Sequence, residues 1–148
     1  MEAPYSSAAV ANVIIEYANA QGKPVTNLAL QKLVYFAHGW YLGIAGVALI
    51  FEEVKAWKYG PVFPLLYESL KIYGAGQVKE LIPTAFRVEP GTDDHNFIRA
   101  IYDRYKDFSL PELIHITHLP DGPWAQVGGG IYDTIPNRII KEYYSKKN

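Results

Sequence analysis

The chain has 148 residues, a formal net charge of −1, 20% charged residues and an apolar fraction near half, which fits one ordinary globular domain and excludes a disordered chain. At this length folding buries roughly 68–70% of the unfolded surface, enough for a single core. The charge balance lacks the Lys and Arg excess of a dedicated nucleic-acid binder, and the absence of cysteine excludes disulfides and thiolate metal sites and suits a reducing cytoplasm.

Met1-Glu2-Ala3-Pro4 has neither the basic start nor the apolar core of a signal peptide. Ser6 or Ser7 can cap a first helix, in which Val10, Ile14 and Tyr17 recur at helical spacing until Gly22 and Pro24 stop it. Thr26 caps a second helix. Its Leu30, Leu33, Val34, Ala37 and Tyr41 make one apolar stripe, and Leu28, Tyr35 and Phe36 make another. A helix apolar on nearly every side is central, with neighbours packed around it. Residues 33–51 carry no formal charge over 19 positions, close to the length of a membrane span. His38 and the glycines at 39, 43 and 46 favour a soluble reading: a buried helix ending near 43–46, then a short strand over 47–51. Residues 54–59 read as a second strand, and the two can form a small hairpin about Glu52-Glu53, although no Asn-Gly or Asp-Gly marks its turn.

Trp57 and Tyr59 lead into Gly60-Pro61, after which Val62, Leu65, Leu66, Leu70 and Tyr73 follow at helical spacing. The pattern predicts a turn opening a helix over 61–73, with Pro61 at its first position and Gly74 as its C-cap. Residues 77–90, punctuated by Pro83 and Pro90, read as loop with a short extended piece. Thr92 opens a further helix with Asp93 and Asp94 at the positive end of its dipole and Phe97, Ile98, Ile101, Tyr102 and Tyr105 on its buried face. Ser109-Leu110-Pro111-Glu112 is a capping box. Residues 121–124 break that helix, the glycines at 128–130 make a flexible loop, and Thr134 or Asp133 caps a last helix whose tail, 145–148, frays. The expected fold is mainly α (α+β): one compact domain over 1–148, five or six helices around a buried central helix, with a small β-hairpin or short strands.

No catalytic constellation emerges. His115, His118 and Asp121 could supply three metal ligands, but no His-Glu-x-x-His pattern or cysteine supports a zinc site, and histidine suits a helix C-terminus for its charge alone. Asp93, Asp94 and His95 are adjacent on a helix and so point apart, which fits a dipole-matched N-terminus better than an acid–base pair. The triple glycine lacks the Gly-Lys-Ser/Thr ending of a phosphate loop, and no serine sits in a Gly-x-Ser-x-Gly frame. His38 reads as a satisfied core histidine. Gln31 and Lys32 are the polar pair of the central helix, with Lys32 expected to snorkel its ammonium to the surface or to meet Glu52 or Glu53. No enzyme activity, cofactor or metal is therefore expected. The 12 tyrosines and three tryptophans divide into a core majority and an exposed minority around Trp57, Tyr59, Val62, Phe63 and Tyr67 that meets a partner, since such aromatics dominate binding hot spots.

Two stretches carry a family resemblance. Leu30-Gln31-Lys32-Leu33-Val34-Tyr35-Phe36-Ala37-His38-Gly39-Trp40-Tyr41-Leu42 followed by Ala56-Trp57-Lys58-Tyr59-Gly60-Pro61-Val62 resembles the Panacea domain, the SocA-like antitoxin domain often labelled phage-associated. The resemblance implies a non-enzymatic antitoxin that binds and neutralises a cognate protein toxin, either by masking it or as an adaptor that presents it to a cellular protease. On this reading Trp57, Lys58, Tyr59, Pro61, Val62, Phe63 and Tyr67 meet the partner, while Gln31, Lys32, His38, Trp40 and Gly60 form the structural motif, with no membrane involved. Residues 47–51 depart from the family's more polar pattern, as a partner-specific apolar surface or as a better-buried strand. The alternatives are a phage-related interaction module and a DNA-binding autoregulator of its own operon. The second would have to expose Tyr35, Phe36 and Trp40 to the major groove with only Gln31 and Lys32 to read bases, which is poor chemistry for the task.

Overall fold

The computed structural model describes residues 2–147. In chain order these form α1 (Ser7–Ala20), β1 (Val25–Thr26), α2 (Asn27–Ala45), β2 (Val54–Trp57), β3 (Gly60–Val62), α3 (Pro64–Leu70) with a 3-10 turn over Lys71–Tyr73, β4 (Gln77–Val78), α4 (Asp93–Tyr105), α5 (Leu110–Thr117), α6 (Pro123–Gln126), β5 (Thr134–Ile135) and α7 (Asn137–Lys147). The fold is mainly helical with short strands, as expected.

Four helix starts follow their local chemistry. The side chains of Ser6, Thr26, Thr92 and Ser109 accept hydrogen bonds from the backbone N–H groups of Ala9, Ala29, His95 and Glu112 in turn, and Ser109 with Glu112 completes the capping box. Helix α2 is the hub, packed by α1, α4, α5 and α7 on different sides, and Leu30, Val34, Phe36 and Ala37 along it are fully buried. Its C-terminus is Gly46, in the left-handed conformation with φ 78°. Close approach to α7 depends on glycine: a Cβ on Gly43 would lie 2.7 Å from the backbone carbonyl carbon of Tyr144.

Several expectations are corrected. Residues 47–51 form no strand beyond a single parallel bridge between Tyr5 and Ile50; Leu49 and Ile50 are buried while Val47 and Phe51 stay exposed. The hairpin lies one segment later, β2 against β3, with Trp57 paired to Gly60, Ala56 to Pro61 and Lys55 to Val62, so Lys58-Tyr59 is its turn. Gly60 takes φ 117° behind that turn, a conformation that glycine alone enters at low cost. Pro61 is therefore a strand residue and Pro64 opens the helix in its place. Finally, α5 ends before residues 121–124 as expected, but a short α6 starts within them at Pro123, and Thr134 is no cap: it lies in β5, which pairs with β2 through Val54–Ile135 and Lys55–Thr134, and its hydroxyl accepts from the Lys55 ammonium at 2.6 Å. The last helix begins at Asn137 and runs through Lys147, so residues 145–147 of the expected tail are helical, while Asn148 lies outside the described residues. The sheet order β3-β2-β5 and the separate pair β1-β4 bring distant parts of the chain around residues 57–67.

Candidate functional site

Three polar residues of α2, Asn27, Gln31 and Lys32, turn inward onto the backbone of the hairpin and of the segment after it. Asn27 and Gln31 are one turn apart, so they share a face: the Gln31 amide donates to Asn27 Oδ1 at 3.2 Å, and its Oε1 accepts the Phe63 N–H at 3.1 Å. The Asn27 amide donates to the Tyr67 carbonyl at 3.4 Å. Lys32, with 0% exposure, donates from Nζ to the Pro61 carbonyl at 3.0 Å. It neither snorkels nor meets a carboxylate: Glu52 accepts from the Ser7 backbone N–H and hydroxyl, and Glu53 pairs with Lys55 at 3.3 Å. A helix buried on every side has no wet face for its lysine to reach. Burial pushes the Lys32 ammonium down to about 7, because desolvation disfavours its charge.

Gly60 is the seat for that lysine. A Cβ there would lie 2.8 Å from Lys32 Cε and from Thr117 Oγ1. His38 holds two further segments: its Nδ1 accepts the Ile50 N–H at 3.3 Å, which leaves Nε2–H to donate to Asn137 Oδ1 at 3.0 Å, at the start of α7. Burial lowers the His38 pKa, keeping the ring neutral. Trp40 donates from Nε1 to the Tyr105 hydroxyl at 2.8 Å, with the Arg104 guanidinium 4.5 Å from its ring. These residues make a rigid frame.

On the outer side of the same segment lies a groove of about 600 Å³. Trp57 is its wall, edge-on to Tyr67 at 5.2 Å and tilted against Tyr132 at 5.8 Å, and its carbonyl accepts from Trp124 Nε1 at 2.7 Å. Tyr59, at the hairpin tip, is 53% exposed, with the Lys58 ammonium 5.4 Å from its ring. Val62 closes the floor, and Leu28 and Leu110 extend it. Lys58 and Lys71 supply the only charges among the lining residues; Lys71 lies 3.9 Å from Glu68, outside the groove.

Of the residues expected to meet a partner, Trp57, Lys58, Tyr59, Val62 and Tyr67 therefore converge on one groove. Pro61 and Phe63 do not reach it: both are buried, Phe63 at 0% exposure and packed edge-on to His38 at 5.7 Å. Val62 is 2% exposed and contributes as floor rather than as a protruding contact. Sequence reasoning missed Leu28, Leu110 and Tyr132. Tyr132 alone had a local signal, as an aromatic two residues after a glycine run; it holds φ 66°, the one positive value at a non-glycine position among the described residues.

The other constellations are structural in geometry. His118 stacks flat on Trp124 at 3.7 Å, while His115 faces solvent, and no group of three or more metal-ligating side chains occurs among the described residues. Asp94 accepts from the Tyr5 hydroxyl at 2.7 Å and the Tyr41 hydroxyl at 2.9 Å; burial, then that carboxylate, pushes the Tyr41 phenol up to about 12. No helix among the described residues is long and apolar enough to cross a membrane.

One segment thus carries an aromatic groove on its outer side and is held on its inner side by Asn27, Gln31 and Lys32. Residues 30–125 match the family described as "Antitoxin SocA-like, Panacea domain", a span that takes in Gln31, Lys32 and most of the groove. The chain is 34% identical over 134 residues to Antitoxin SocA of Caulobacter vibrioides (strain NA1000 / CB15N), covering 82% of this chain and 70% of that protein. The chain belongs to the SocA-like Panacea family. No solved structure matches it.

Proposed function

We propose that this protein is a cytoplasmic, non-enzymatic antitoxin that neutralises a cognate protein toxin by direct binding, with the groove walled by Trp57, Tyr59, Tyr67 and Tyr132 as the toxin's seat. The observation that carries the reading is the pairing of exposed aromatics with a fixed backbone. Tyr and Trp offer large contact area for little side-chain entropy, and a preorganised wall loses less on binding. Family membership supplies the partner class. Masking is the mode favoured here, because the groove can cover a toxin side chain without any further component.

The DNA-binding alternative loses support from burial: Gln31, Lys32, Tyr35, Phe36 and Trp40 are all inside the fold, leaving α2 nothing to place in a major groove. The test begins with growth of a bacterial host expressing the neighbouring open reading frame, with and without this chain. Arrest alone and rescue by the chain are expected. Purified toxin mixed with the chain should then lose activity at one-to-one stoichiometry; inhibition that needs a protease and ATP would replace masking by delivery, and absence of arrest would remove the antitoxin reading.

A further inference from the structure

The groove beside Trp57 has a one-sided chemistry. None of its lining residues is acidic, and Lys58 and Lys71, both exposed, carry all the charge. Lys58 sits in the turn between β2 and β3, its ammonium 5.4 Å from the Tyr59 ring, and makes no ion pair among the described residues. Lys71 lies 3.9 Å from Glu68, but both side chains of that pair are more than half accessible, so solvent screens it and Lys71 can change partner at little cost. The hydroxyls of Tyr59, Tyr67 and Tyr132 have no hydrogen-bond partner among the described residues, which leaves each able to donate. Leu28, Val62 and Leu110 make the floor apolar.

We infer, on the reading of the groove as the partner's seat, that it receives an acidic-apolar peptide segment: a large apolar side chain set among the aromatic rings, with Asp or Glu carboxylates beside it that Lys58, Lys71 and the phenol hydroxyls bind. A groove of about 600 Å³ has room for a few large side chains. Carboxylate is the charged side-chain group that an ammonium and a phenol O–H both satisfy, and a charge-assisted hydrogen bond to it is roughly twice as strong as a neutral one. A basic segment would meet two like charges and no acid, so the residues that attract the fitting partner also exclude the opposite one. Nucleic acid fits less well. Two lysines do not track a phosphate backbone, and Trp57 meets Tyr67 edge-on and Tyr132 at a tilt, so these rings hold no pair of parallel faces open to clasp a base.

The experiment selects a displayed random peptide library on the intact chain and measures the enriched peptides by fluorescence anisotropy at low and high salt. Enrichment of Asp and Glu next to a large apolar residue is expected. Lys58→Glu should leave the melting temperature unchanged, because that side chain is exposed, and should weaken those peptides by about tenfold or more at low salt and by less at high salt. Tyr59→Ala should weaken them at both. Lys141→Glu, at an exposed lysine outside the groove, should leave them unchanged; an equal loss there would reduce the effect to overall charge and overturn the inference. An empty selection, enrichment of neutral or basic peptides, acidic peptides that the Lys58→Glu chain binds equally well, or single-stranded DNA that competes for the groove more tightly than they do would overturn it too. The cognate toxin separates the two proposals. Toxin binding that falls in Tyr59→Ala and holds in Lys58→Glu keeps the seat and removes the acidic segment, whereas acidic peptides that occupy the groove without displacing toxin keep the groove's peptide chemistry and remove the toxin's seat.

Discussion

From the side of α2, residues 57–67 are a backbone gripped by side chains; from solvent they are side chains standing on that backbone. Inside, Asn27, Gln31 and Lys32 satisfy or engage the carbonyls of Tyr67 and Pro61 and the N–H of Phe63. Outside, Trp57, Tyr59 and Tyr67 meet mainly one another, Tyr132 and water. The inner face can change only at the expense of the fold, since each buried polar group left unpaired costs about 1–3 kcal/mol. The outer face can change with little effect on stability. If the groove is the partner's seat, as proposed, that division separates the residues that hold the frame from those that make the contact.

The sharpest break is Gly60→Ala. It forces a side chain into φ 117° and onto Lys32 and Thr117, so urea unfolding should show a loss of about 3 kcal/mol or more. Next comes Gln31→Leu, which leaves the Phe63 N–H unpaired and should cost about 2 kcal/mol by the same measurement. Lys32 sharpens the comparison through pH. Its folded pKa of about 7 lies below the unfolded value, so between these two values the unfolded chain binds the extra proton, and stability rises as pH increases from 7 toward 9. Lys32→Met should flatten that rise; an unchanged slope would assign it elsewhere. The smallest effect on folding belongs to Tyr59→Ala, within about 0.5 kcal/mol, yet its toxin affinity should drop by about tenfold or more by calorimetry. Full affinity in that folded variant would make Tyr59 a bystander.

The helices were legible because their ends are written locally. Ser6, Thr26, Thr92 and the Ser109–Glu112 box each act within one turn, and the two apolar stripes of α2 announced its central place. The hairpin was misplaced because its Lys58-Tyr59 turn carries no preferred turn residue, and its signal, Gly60, also suits a helix entrance when followed by proline. The aromatic cluster was found in part. Trp57, Tyr59 and Tyr67 are close in sequence, but Leu28, Leu110 and Tyr132 join them only through tertiary pairing, which no local pattern reports. Lys32 was misread because snorkelling assumes a nearby surface, and α2 has none at that turn.

The groove's far wall arrives late. Tyr132 is positioned by backbone hydrogen bonding of its N–H to Ala56 and by the pairing of β5 with β2, and His38 waits for Asn137 at the start of α7. The groove therefore closes only after residues 132–137 have joined a hairpin and a central helix that lie far earlier in the chain. A chain cut before Tyr132 would keep the Gln31 and Lys32 contacts to the hairpin side and lose the groove's far wall, so the frame and the proposed seat come from separate parts of the sequence.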